Sequence, residues 1–366
     1  MRVISYSIIL SRILTAACLD AVDYCWIKLR HSINTSSLYT KYVCTMCLNY
    51  LKRSVKQEYP CLIVTLMHKM ESAGIRNLMM TIRPARRSDK DEILRFCINT
   101  FSWGDYIHRV WDYWYEEKDG QIFVVESCGE TIAMSHVAIC PEGKGIWLEG
   151  VRVHPDHRRS NIATMLLAKM IEYGRRKGVQ EASAIVGATN FASQSMMKKN
   201  GFKILSKWKY CSAAGTPRHQ QSSARLANAN DIDDIWHYLQ QSKIYHLSGK
   251  RYVKSWHWYA FDRTALLNFV KEERVIVTGL PIEGIAIINK RGYWDRTDIL
   301  QVVYLDIAST SSLSQFISFM TNLYLDGGFE SLQLVCCDNQ RITSFIDKFV
   351  IQEEEEFLLY NKQFEL

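Results

Sequence analysis

The chain carries one stretch of text twice, and this constrains its fold more than any other feature. Residues 82–94 read IRPARRSDKDEIL and residues 224–236 read ARLANANDIDDIW, aligning Arg83 with Arg225, Ala85 with Ala227, Asp89 with Asp231, Asp91 with Asp233 and Ile93 with Ile235. Such an internal repeat implies two copies of one supersecondary plan. In each copy a short strand leads through Asp, a residue that caps helix N-termini, into a helix whose apolar positions recur at three and four.

Beyond that helix, the first copy predicts strands at 122–126, 132–139 and 145–153, with a turn at Gly129 and Glu130. A helix follows with an inward stripe of Ile162, Met165, Leu166, Met170 and Tyr173, ended by basic residues and Gly178. Next come a strand at 182–186, a helix at 192–200 and a strand at 203–210. The second copy repeats the order, with strands at 274–278, 284–290 and 299–308, a helix at 313–325, a strand at 332–336, a helix after Asn339 and a strand at 355–362. The implied division is an N-terminal extension at 1–78, a first domain at 79–212, a linker at 213–222 around Gly215 and Pro217, and a second domain at 223–366. With 366 residues and 48% apolar content the chain can bury two cores.

Residues 1–78 carry ten Lys or Arg against four acids, nearly all of the formal net charge of +7. The remainder is close to neutral and offers no electrostatic footprint for nucleic acid. Apolar runs at 3–11 and 13–19, split by Arg12, fall short of the roughly 18 residues needed to span a bilayer, so no membrane span is expected. Ala16, Ala17 and Cys18 faintly resemble a lipoprotein signal, whose apolar core Arg12 would interrupt. With Gly74 as its one glycine, the segment reads as a poorly structured extension, either disordered or lying upstream of the native start. The 11 cysteines show no framework spacing, and Cys44 and Cys47 lack the second pair a zinc site needs. The expectation is a reduced cytoplasmic chain, monomer or homodimer, without metal.

Residues 151–163 read VRVHPDHRRSNIA, a strand end running through a polar loop into a helix. Exposed N–H groups at such a helix start, helped by its dipole, hold phosphates without charged side chains. The run resembles the signature of the GNAT family of acyltransferases, a Val-x-Val strand end followed by Arg/Gln-x-x-Gly-x-Gly/Ala, carried here by Arg158, Arg159, Ser160, Asn161, Ile162 and Ala163. Asn161 stands where the family has its first glycine; after glycine, Asn best tolerates left-handed backbone angles. A second match runs from Asn190 through Ser193, Met196 and Met197 to Gly201 and Phe202, resembling the family's Asn-x-x-Ala-x-x-hydrophobic-Tyr-x-x-x-Gly-Phe.

The resemblance implies two tandem GNAT-like domains of α+β or α/β class, each a mixed central sheet flanked by helices. It implies acetyl-CoA as co-substrate, held by Val151, Arg152, Val153, Arg158, Arg159, Ser160, Asn161, Ile162, Ala163 and Thr164, with Asn190 and Ser193 beside the pantetheine and adenine. Backbone N–H groups of Val151–Val153 would hold the oxyanion of the thioester carbonyl. Met197 occupies the position of the Tyr that often protonates the departing thiolate in the family.

Glu149 shares strand parity with Val151 and Val153 and is the candidate general base. Its strand, WLEGVRV over 147–153, also resembles that of histidine N-acetyltransferase-like and small-amine acetyltransferases. The alternative roles for Glu149 are positioning a cationic substrate or pairing with Arg152. His154 and His157 read as loop residues beside the phosphates. Trp103, Asp105 and Tyr106 are candidates for binding a cationic amine, by an aromatic cage with one carboxylate. Trp111 and Trp114, spaced as one helix face, read as core.

The corresponding loop of the second copy reads LDIASTSSL over 305–313 and lacks the phosphate-holding pattern. This copy reads as degenerate, closing over the acceptor site of the first. Tyr245, His246 and Trp256 to Tyr259 would then line its wall or simply pack as core. The expected function is direct transfer of acetyl from acetyl-CoA to a primary amine, on a small molecule or a protein. The alternative is a catalytically decayed CoA-binding regulatory or scaffold protein.

Overall fold

The computed structural model describes residues 80–101, 104–140, 145–214, 219–290, 296–339 and 350–364. The expected extension at 1–78 and the expected helix after Asn339 lie outside these residues. Within them the chain forms two compact units, one of residues 80–136 and 150–169, the other of 137–149 and 170–364.

In the first unit β1 (Met80–Pro84) pairs antiparallel with β2 (Gly120–Ser127), followed in order by β3 (Glu130–Ile139). Two amphipathic helices, α1 (Lys90–Cys97) and α2 (Ile107–Glu116), bury Ile93, Phe96, Trp111 and Trp114 with Ile122, Val124 and Met134. The end of β4 (Gly145–Val153) and the start of α3 (Ile162–Arg176) complete it. The predicted stripe of α3 is buried at Ile162, Leu166, Met170 and Tyr173; Met165 is only half-buried.

The second unit adds β5 (Glu181–Gly187), α4 (Phe191–Lys199), β6 (Lys203–Ala214), β7 (Arg225–Leu226), α5 (Ile232–Gln241) and α6 (Lys243–Leu247). A hairpin of β8 (Arg251–Lys254) and β9 (His257–Ala260) precedes α7 (Arg263–Lys271), β10 (Val275–Thr278), β11 (Gly284–Asn289), β12 (Ile299–Ile307), α8 (Thr310–Asp326), β13 (Ser331–Cys337) and β14 (Val350–Gln363). Its strand order is β4-β5-β14-β6-β13-β12-β11-β10-β7. β4 and β5 run parallel, as do β12 and β13, and each parallel step is crossed by one helix, α3 or α8. A parallel pair needs such a crossover, so the repeated plan reappears as repeated topology. No helix among the described residues is long and apolar enough to cross a membrane.

The repeated text has a local physical cause. Arg83 forks onto Asp89 at 2.7 and 2.9 Å, and Asp89 accepts the Arg86 N–H at 2.6 Å. Arg225 forks onto Asp231 at 2.7 and 2.6 Å, and Asp231 accepts the Asn228 N–H at 2.8 Å. In each copy one carboxylate ties the end of a strand to the start of a helix, a bidentate geometry that Arg alone offers.

The two final strands are exchanged. β14, the last strand of the second copy, lies between β5 and β6 of the first, with Phe357 opposite both Gly187 and Trp208. β6, the last strand of the first copy, pairs in turn with β13 of the second, Leu334 opposite Cys211.

Candidate active site

The loop after β4 turns through Pro155–His157, and Arg158 donates its Nε–H to the Val153 carbonyl at 3.3 Å. Arg159 then takes φ 64° and Asn161 φ 61°, before α3 begins at Ile162. Asn161 thus adopts the left-handed backbone its residue type suggested, and Arg159 adopts it as well. Left-handed residues set among right-handed ones turn successive N–H groups to one side, making an anion-binding concavity. The first N–H groups of α3 have no acceptor within the helix, and they carry its positive dipole end. Arg158, Arg159 and Asn161 are exposed, Ser160, Ala163 and Thr164 half-buried, and buried Ile162 anchors the turn. The donor set fits a diphosphate.

The equivalent helix start in the second copy is already satisfied. Ser309 Oγ accepts the Ser312 N–H at 3.1 Å, and the Glu283 carboxylate accepts from Ser312 Oγ at 2.8 Å. A carboxylate at the positive end of α8 occupies the place an anionic ligand would need.

In the first unit Asp105 and Arg152 come together. Arg152 donates to Asp105 at 2.6 and 3.0 Å, with the Phe101 and Tyr106 rings 5.0 and 5.2 Å from its guanidinium carbon. Burial opposes the charge on Arg152, but Tyr106 and Asp105 overcome it and hold the guanidinium protonated. Tyr106 and Asp105, expected to receive a cationic amine, therefore already flank a cation of the chain itself. Burial and the Asp105 charge also push the Cys97 thiol up to about 12, so it stays protonated at neutral pH. Trp103 lies outside the described residues. Val151 and Val153 are half-buried on the same strand as Arg152.

Gly150 takes φ 65°, and a Cβ there would meet the Trp114 ring at 2.7 Å. Only glycine fits both demands. The left-handed residue interrupts β4, so regular alternation does not carry the parity of Val151 and Val153 back to Glu149.

In the second unit Glu149 meets His257 of β9, with His257 Nε2 3.1 Å from Glu149 Oε1; the two side chains are 21% and 14% exposed. The pairing with Arg152 considered from sequence is not the one formed, since Arg152 turns to Asp105. Tyr259 Oη lies 3.3 Å from His257 Nδ1. Trp258 fixes the hairpin by stacking on Trp147 of β4 with ring centroids 5.7 Å apart. The hairpin turns through Ser255 at φ 50° and Trp256 at φ 62°. Two positive φ values suit a two-residue hairpin, but a left-handed Trp costs on the order of 1 kcal/mol. The Trp256 ring contacts Tyr210 and Phe357 at 5.3 Å each and offsets that cost by burial. From sequence His257 is a candidate for the wall or for the core, and nothing there points to Glu149 as its partner.

Asn190 caps α4, its Oδ1 accepting the Ser193 N–H at 3.1 Å, so these two expected cofactor contacts are adjacent. Met197, at the position of the family's tyrosine acid, is 2% exposed and donates no proton. His154 accepts the Asp156 N–H at 3.3 Å and meets the rings of Phe96 and His157 edge-on, as a loop residue.

Comparison with known proteins finds matches over part of the chain and to its fold. The chain is 27% identical over 93 residues to a histidine N-acetyltransferase of Scomber australasicus, covering 25% of this chain and 28% of that protein. It is 26% identical over 83 residues to a histidine N-acetyltransferase of Oreochromis niloticus, covering 23% of this chain and 25% of that one. The chain thus matches about a quarter of the length of these curated relatives. A GCN5-related N-acetyltransferase from Sphaerobacter thermophilus superposes with a TM-score of 0.52 at 12% identity, over 78% of this chain and 96% of that one, a likeness of fold. The model of the acetyltransferase (GNAT) family matches residues 89–202, which include the left-handed loop, α3 and the α4 cap. Over residues 89–202 this chain is therefore similar to the acetyltransferase (GNAT) family.

Proposed function

We propose that this chain is an acetyl-CoA-dependent N-acetyltransferase that moves acetyl directly onto a primary amine, with Glu149 as general base. The observation that carries the reading is the loop with left-handed Arg159 and Asn161 leading into α3, inside the segment that matches the family. Its N–H groups would take the diphosphate of acetyl-CoA, with Arg158 beside them and Asn190 and Ser193 toward pantetheine. Backbone N–H groups of Val151–Val153 would hold the oxyanion formed when the amine attacks. Glu149 would accept the ammonium proton and free the lone pair. A protonated Cys97 favours direct transfer over an acyl-enzyme route through that thiol.

The division into a catalytic copy at 79–212, a linker at 213–222 and a degenerate copy at 223–366 belongs to the same proposal. The capped, carboxylate-bearing start of α8 supports a single cofactor site. Relatives named histidine N-acetyltransferase make a free amino acid the first acceptor to try. Calorimetric titration with acetyl-CoA, followed by thiol release with L-histidine and a panel of other amines, tests the reading. Tight binding with turnover on any amine supports it, whereas binding without turnover across the panel favours a CoA-binding regulatory protein.

A further inference from the structure

We infer that His257, carried by the hairpin of the second copy, is the positioning residue for Glu149, and the inference rests on the reading of Glu149 as the base. Three observations carry it. The His257 imidazole lies 3.1 Å from the carboxylate, with the two side chains only 21% and 14% exposed, so solvent competes weakly for the contact. The other ring nitrogen lies 3.3 Å from the Tyr259 hydroxyl, which can donate to it. That bond leaves the proton on Nε2, from which it is donated to Glu149 Oε1. The hairpin also keeps a left-handed Trp256 at its tip, the kind of local strain that persists where surrounding contacts over-determine a geometry.

The chemistry follows from this tautomer. An Nε2–H donated to Glu149 fixes the rotamer of the carboxylate that is to receive the proton. In the reaction one proton passes from the acceptor ammonium to the Glu149 carboxylate, and His257 keeps its own. No bond to His257 is made or broken. The catalytic base of the first copy is thereby oriented by a side chain of the second, which gives the copy without a phosphate loop a role in the reaction.

The test uses the full chain with acetyl-CoA and L-histidine, read by thiol release. His257→Ala lowers kcat about tenfold or more, as expected when a group that orients a catalytic residue is lost. It leaves the acetyl-CoA KM within about twofold, because no cofactor contact is removed. His257→Gln, whose Nε2 amide can reproduce the donor, recovers most of kcat. Combining His257→Ala with Glu149→Gln lowers kcat no further than Glu149→Gln alone, since the two act as one unit. Wild-type kcat in His257→Ala, or additive losses in the pair, would overturn the inference.

Nitrogen-15 spectra of histidine-labelled protein supply an arm that needs no acceptor. His257, assigned by its loss in His257→Gln, shows the Nε2–H tautomer, and Glu149→Ala redistributes it. An Nδ1–H tautomer, or one indifferent to Glu149→Ala, refutes the pairing. Should Glu149→Gln keep wild-type kcat while the tautomer depends on Glu149, the general-base reading fails and the contact stands.

Discussion

Asp105→Asn provides a direct measure of the ion pair that fills the aromatic cleft of the first unit. The substitution keeps an oxygen for the Ile107 N–H at 3.2 Å, removes the negative charge facing Arg152 and replaces the oxygen that accepts the Arg152 Nε–H by an N–H donor. The Asp105 and Arg152 side chains are 4% and 11% exposed, so the guanidinium left behind has little water to replace its partner. Stranding a buried charge costs about 3–5 kcal/mol, against about 1 kcal/mol or less for an exposed pair. At about 4–8 °C of Tm per kcal/mol for a unit of this size, the melting temperature should fall by roughly 20 °C. Thermal melts and urea titrations of wild type, Asp105→Asn and Asp105→Asn with Arg152→Gln measure it. The double variant, with no stranded charge, should regain more than half of the loss. A single-variant loss under about 1 kcal/mol would refute the reasoning, by showing that water reaches Arg152 as it would a surface residue.

Arg158→Ala combined with Asn161→Asp removes a cation and sets a carboxylate against the pyrophosphate, so calorimetry should show acetyl-CoA affinity lowered at least tenfold, or about 1.4 kcal/mol; unchanged affinity would sink the cofactor site. Glu149→Gln should lower kcat about a hundredfold at neutral pH while sparing acetyl-CoA affinity, with the deficit shrinking toward about pH 10 as the acceptor amine loses its proton in solution. A raised acceptor KM at preserved kcat would instead assign Glu149 to substrate positioning. Acid stability depends on both repeat carboxylates. Burial works against ionised Asp89, but the Arg83 fork and the Arg86 N–H overcome it, and the Arg225 fork acts likewise as the main influence on Asp231, holding both carboxyls below the usual range. Their stabilisation is present above the unfolded value of about 3.9 and lost as pH falls below it, so Tm should drop in that window, and less steeply in Asp89→Asn with Asp231→Asn.

What the sequence made legible was local. The repeat announced itself because Arg83 and Asp89, like Arg225 and Asp231, meet within one strand-to-helix turn, and Asn161 marked a left-handed position through its own backbone tolerance. The burial of Trp111 and Trp114 followed from helical spacing. Long-range pairings left no such mark. Asp105 and Arg152 are 47 residues apart, and an aromatic segment with one acid reads equally well as a cage for a ligand. The hairpin bearing His257 escaped notice because its strands are four residues long and its turn uses Ser255 and Trp256 instead of Asn-Gly chemistry. The exchange of β6 and β14 was invisible for a different reason, since a strand's pattern records which faces are buried and not which sheet supplies the neighbour.

That exchange ties the fate of one copy to the completion of the other. Domains ordinarily fold as they are synthesised, the N-terminal one first. Here β5 and β6 flank a strand encoded well over a hundred residues downstream of them, residues 350–363. The first copy cannot close its sheet until translation has reached those codons. A stop before those codons, well beyond every residue proposed for cofactor binding, would leave the facing edges of β5 and β6 open.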